Sequence, residues 1–206
     1  MARYIALFIS VVFQPLLVPT LVFGLILFLV PEASSIPDSF KGRIFLLIVL
    51  STLVIPMVTI FGLRLSGTLK SIHMVDIKDR IIPFVVTTIY FLLTTYFLHD
   101  KGELDPVLWQ VLGIISASIV GLTLITFFWK MSAHMTGMGG LLATVVVLSM
   151  KFPTFHALYP LLGVIILSGI VCTARLYLNA HRPLETYFGF IFGFILCFIG
   201  FNLIYP

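Results

Sequence analysis

Residues 186–204 read TYFGFIFGFILCFIGFNLI, a run with no Asp, Glu, Lys, Arg or Pro. Wound as a helix at 1.5 Å per residue, such a run covers about 28 Å, close to the ~30 Å hydrocarbon core of a bilayer. It is apolar around its whole circumference, whereas a helix on a soluble domain is apolar along one stripe. An open sheet cannot satisfy its backbone in lipid, so the segment reads as a transmembrane helix. The same reading applied outward gives six more apolar segments, at about 4 to 30, 44 to 63, 81 to 98, 107 to 129, 134 to 150 and 157 to 174. The composition agrees: 60% of the 206 residues are hydrophobic and 10% are charged, against roughly 25% charged in a soluble domain. The fold class is therefore all-α, a polytopic transmembrane helix bundle of six to seven spans forming a single integral membrane domain over residues 1–206. The count turns on the first segment, where Gln14, Pro15 and Pro19 predict a kink or a re-entrant entry.

Charge and cysteine usage narrow the function. The formal charge of +4 comes from 12 basic and 8 acidic residues scattered singly, with no basic run to track a nucleic-acid backbone. Cys172 and Cys197 lie inside apolar stretches and suggest neither a disulfide framework nor a metal knuckle. The stretch after Arg3 outruns a signal-peptide core and has no small-x-small cleavage site, so it is read as the first span.

Seven spans sort the connections by parity. With the N-terminus on side A, the connections 64–80, 130–132 and 175–185 fall on that side. These connections, with the helix start just after 132, carry His73, His134 and His181 together with Arg64, Lys70, Lys78, Arg80, Lys130, Arg175 and Arg182. Two spans separate each of these connections from the next, so they share a face even if the first segment is re-entrant.

Each connection carries chemistry of its own. Ser132 is placed to cap a helix whose first turn holds His134. Free amides and the positive end of the dipole at such a start favour an anion. Gly137, Gly139 and Gly140 keep that helix slim enough for a neighbour or ligand to approach its backbone. His181 and Glu185 are i,i+4 and are expected to share a helix face. A carboxylate so placed can accept the Nδ1 proton and leave Nε2 as a nucleophile. Arg175 offers the planar fork that holds phosphate oxygens bidentately. Arg80 and Lys78 can reach a phosphate as a pair, or can belong to a solvated loop with Lys70, Asp76 and Asp79. Asp76, Asp79 and Glu185 are too few for a two-metal carboxylate cage, so no metal and no cofactor is expected.

These three pieces, in this order, resemble the type 2 phosphatidic acid phosphatase superfamily, which includes vanadium-dependent haloperoxidases. The family pattern is Lys, six residues, Arg-Pro; then Pro-Ser-Gly-His; then Ser-Arg, five residues, His, three residues, Asp. This chain offers Met131, Ser132, Ala133 and His134 for the second motif, and Ala174, Arg175, His181 and Glu185 for the third. In the first motif, six residues before Arg80 separate it from His73, the proline is Pro83, and Lys78 stands near the place of the lysine. The resemblance covers roughly residues 70 to 200, and the first two spans match nothing in it. It implies a metal-independent membrane phosphatase acting on a lipid phosphate or polyprenyl (di)phosphate through a phosphohistidine. In that scheme His181 is the nucleophile, Glu185 orients it, and His134 protonates the leaving alkoxide. Arg80, Arg175, Lys78 and the backbone near Ser132 hold the phosphate.

Two further classes stay open in the sequence. One is a phosphotransferase of the same fold. The other is a transporter or structural membrane protein, against which stands the lack of Asp, Glu, Lys and Arg at mid-span positions. The positive-inside count, eight basic residues on side A against four on side B, places the site in the cytoplasm. The resemblance implies the opposite face, the periplasm of a bacterial inner membrane.

Overall fold

The structure, a computed structural model, describes residues 1–68, 77–100 and 104–205, and for Ile77 and Lys78 the backbone alone. All regular structure among the described residues is helical. Seven stretches are long and apolar enough to cross a membrane: Ala2–Leu29, Asp38–Leu65, Asp79–Asp100, Pro106–Thr126, Ala133–Lys151, Leu158–Tyr177 and Pro183–Ile204.

The first stretch is not one rod. Helix α1 (Ala2–Val12) stops at Phe13, and Gln14 is extended ahead of a 3-10 turn, Pro15–Leu17. The cause is local, since a residue preceding proline is pushed out of the helical region. The chain resumes as α2 (Val18–Gly24) and closes in a π turn, Leu25–Leu29. In the second stretch a π turn, Leu50–Val54, joins α3 (Asp38–Val49) to α4 (Ile55–Leu65). There Pro56 supplies no amide to a regular i→i−4 ladder, and the wider turn accommodates its ring. Five longer helices follow: α5 (Ile77–Asp100), α6 (Pro106–Thr126), α7 (Ala133–Lys151), α8 (Leu158–Tyr177) and α9 (Pro183–Ile204).

Several boundaries differ from the hydropathy reading, α5 and α9 both starting earlier than expected, at Ile77 and Pro183. The second span starts at Asp38 rather than near 44, because a charged first turn, with Lys41 paired to Asp38 at 2.8 Å, is compatible with helix though not with an apolar window. The span expected to reach 129 ends at Thr126, and residues 127–129 form a turn. The span expected to end at 174 continues to Tyr177, so Arg175 sits in the last turn of α8 and not in a loop.

Helix α7 is the centre of the bundle and is buried along most of its length. It packs backbone to backbone on α9. A Cβ on Gly139 would land on the carbonyl of Phe190, and one on Gly193 on the carbonyl of Thr136. Only glycine permits that approach. Around this pair stand α6 with α5, α8 with α1, and α2. Outward faces carry apolar side chains such as Ile191, Ile195 and Ile199 of α9, as a lipid-facing surface requires. On side B the connections are tied together: Ser35 Oγ meets Asp105 Oδ2 at 2.8 Å, Thr154 Oγ1 donates to Glu32 Oε2 at 2.9 Å, and the Tyr205 hydroxyl donates to the Ala33 carbonyl at 3.2 Å. Four ionisable groups of side A, Arg80, His134, Arg175 and His181, meet around a cavity.

Candidate active site

The site begins with a helix start. Arg182 occupies the N-cap of α9, Pro183 follows with its fixed φ, and Glu185 stands at N3. Glu185 Oε2 accepts from the Arg182 amide at 3.2 Å and sits 2.8 Å from His181 Nδ1. This corrects the expected shared helix face: His181 precedes the helix, and the turn ahead of Pro183, not helical periodicity, brings imidazole and carboxylate together. Both side chains are buried.

Arg80, also buried, approaches the other side of the ring from the first turns of α5, with Nη2 3.3 Å from His181 Nε2. A guanidinium has only donors. Nε2 must therefore accept, Nδ1 carries the proton, and the ring donates it to Glu185. The tautomer follows from the partners. Burial first, then the positive charges of Arg80, Arg175 and Lys130, holds the His181 pKa far below its ordinary value, so the ring is neutral at pH 7.

The remaining groups come from three other elements. Ser132 caps α7, its hydroxyl accepting from the Met135 amide at 3.4 Å, and His134 lies in the first turn. His134 Nε2 lies 3.0 Å from the carbonyl oxygen of Ser10 in α1. Since the carbonyl can only accept, Nε2 carries a proton. Arg175 reaches in from the last turn of α8, and its buried Nε has no hydrogen-bond partner among the described residues. Arg80, His134, Arg175 and His181 all line one cavity of about 630 Å³.

Two expected phosphate ligands stand differently. Ser132 is fully buried and does not line the cavity; its amide donates to the Glu185 carbonyl at 3.1 Å and its hydroxyl is the cap. It ties α7 to α9 and offers nothing to an anion. The side chain of Lys78, like the whole of His73, lies outside the described residues.

Sequence reasoning left out Ser10 and gave Gln14 a part only in the kink of the first segment, though both are on the cavity wall. The signal was present, since polar residues are sparse in the first apolar stretch, but no spacing linked them to His134 more than a hundred positions away. No three His, Cys, Asp or Glu side chains gather into a metal-binding group among the described residues. No family model, no curated protein and no solved structure matches this chain.

Chemically, the arrangement is a neutral imidazole of fixed tautomer on a cavity wall, its lone pair held by one of the two guanidiniums there. A second imidazole, of separate orientation, lies on the same wall.

Proposed function

We propose that this protein is an integral membrane phosphatase that hydrolyses a lipid phosphate through a phosphohistidine on His181. The observation that carries the reading is the double engagement of that ring: Glu185 at Nδ1 and a guanidinium at Nε2. A phosphoryl group entering the cavity takes the hydrogen bonds of Arg80 and Arg175 onto its own oxygens, which frees the Nε2 lone pair beside the phosphorus. Nε2 attacks, and the bond from phosphorus to the lipid oxygen breaks. The ring becomes cationic, and Glu185 offsets that charge across the Nδ1–H hydrogen bond. His134, entering the step as the doubly protonated imidazolium, gives one ring proton to the leaving oxygen and becomes the neutral ring. Water then gives a proton to His134 and attacks phosphorus, the P–N bond breaks, and Nε2 regains its lone pair as phosphate departs. Two guanidiniums supply the electrophilic stabilisation in this scheme. The likeness of the three motifs to type 2 phosphatidic acid phosphatases supports it, and with it a site on the outer face of a bacterial inner membrane.

The test is a rapid acid- or base-quench experiment with a phosphate-labelled lipid. An acid-labile, base-stable phosphoenzyme is expected in the native protein and absent in His181→Ala, together with its turnover. A phosphoenzyme that persists in that variant removes His181 as nucleophile.

A further inference from the structure

The cavity does not end at the ionisable groups. From His134 its wall continues along α7 through Gly137 and Gly140 to Thr144, ten residues and about 15 Å further into the bundle. On α5 it runs from Arg80 to Phe91, eleven residues and about 16 Å. The lining of this inner part is apolar even where hydroxyls occur. Thr144 Oγ1 donates to the Gly140 carbonyl at 2.9 Å and Ser118 Oγ to the Ile114 carbonyl at 3.2 Å, so these side chains spend their protons on their own helices. One side of the cavity is walled by the broken first segment, and Val11, Met57 and Phe61 both line it and are exposed on the outer surface. That is a lateral portal between α1 and α4, bridged by Gln14 Nε2 at 3.2 Å from Met57 Sδ.

Resting on the phosphatase reading for its polar end, we infer that this chamber takes one hydrocarbon chain of the substrate inside the protein and measures its length. The charge complement fixes which end of an amphiphile goes where: the anionic head meets Arg80 and Arg175, and the chain enters through the Val11–Phe61 portal and runs toward Thr144 and Phe91. A zigzag of 1.52 Å carbon–carbon bonds advances about 1.3 Å per atom, so 15 Å holds about twelve carbons. A volume of about 630 Å³ lies within the roughly 300–1,000 Å³ of sites that enclose a ligand of that size. Gly137 and Gly140 are on the lining, and a Cβ there would meet Val18 at 2.6 Å and Cys197 at 3.0 Å, so these glycines let α7 draw close to its neighbours around the passage.

The experiment uses full-length protein in amphipol and a series of non-hydrolysable n-alkyl phosphonates, butyl to hexadecyl, each below its micelle concentration. Their affinities are measured by calorimetry. Affinity is expected to rise about fourfold per methylene, the equivalent of ~0.8 kcal/mol per buried CH₂, and to level off near twelve carbons. Thr144→Phe should move the break to shorter chains and Phe91→Ala to longer ones, opposite displacements that a folding defect cannot produce. An affinity that is flat, or that climbs through hexadecyl without a break, or a break that neither variant moves, overturns the inference. A clear break in a protein that hydrolyses no phosphate ester leaves the chamber standing and discards the phosphatase reading.

Discussion

At the scale of single residues, the informative group is His181. Its neutral form is favoured because burial penalises the imidazolium and because Arg80, Arg175 and Lys130 add like charge. Both effects lower the pKa, so the ring stays unprotonated as pH falls through the ordinary imidazole range near 6.5. A nitrogen-15 NMR titration of histidine-labelled protein should show one ring, lost in His181→Ala, in the Nδ1–H tautomer with no transition between about pH 8 and pH 5. A transition near 6.5 contradicts the burial of this site. Glu185 is tied to three partners at once, the His181 ring, the Arg182 amide and, through its carbonyl, the Ser132 amide. Glu185→Gln keeps an acceptor for Nδ1–H but loses the negative charge that balances a cationic ring. Single-turnover phosphoryl transfer should then slow by roughly 10²-fold or more, with the phosphoenzyme still detectable, a loss of the order usual for one positioned catalytic group. Loss of the phosphoenzyme would instead make the carboxylate essential to the nucleophile itself.

At the scale of elements, the α7–α9 pair sets the distance between the second and third motifs. Gly139 and Gly193 sit where each helix's backbone meets the other. Gly193→Ala places a methyl on the Thr136 carbonyl and must part the helices, whereas Gly163→Ala, with nothing within 4 Å, meets open space. Overpacking of this kind costs about 1–3 kcal/mol. Thermal unfolding in detergent should show a clear loss for Gly193→Ala and little change for Gly163→Ala. Equal melting temperatures would mean that the helix contact is not as close as the backbone geometry states. The broken first segment is the other decisive element. Pro15 forces Gln14 out of the helix, and the resulting bend lets α1 place the Ser10 carbonyl against His134. The kink itself was legible, because a proline acts through its own ring and its immediate predecessor. Its destination was not, because nothing in the local sequence codes for a contact 124 residues away.

At the scale of the whole molecule, parity of the spans places the site groups on one face. Ser66 and Asn179 are exposed on connections of that face, and Thr154 is exposed on the opposite one. Single cysteines at these positions, labelled in intact cells with a membrane-impermeant thiol reagent, should report Ser66→Cys and Asn179→Cys together and Thr154→Cys only after permeabilisation. The reverse pattern turns the site to the cytoplasm, as the positive-inside count has it. Labelling of Ser66→Cys and Asn179→Cys from different sides refutes the seven-span topology. The sequence by itself determined the helical bundle of six to seven spans, the shared face of Arg80, His134, Arg175 and His181, and the cap at Ser132. Those follow from apolar length, alternation of sides and local backbone chemistry, all of which act over a few residues. Only the tertiary structure decided that Arg80 fixes the tautomer of His181, that Ser132 is spent on joining α7 to α9, and that the first segment walls a chamber reaching 15 Å below the charges. Each of these depends on helices distant in sequence meeting at a set depth and rotation, and that is fixed by packing of whole surfaces rather than by any stretch of chain.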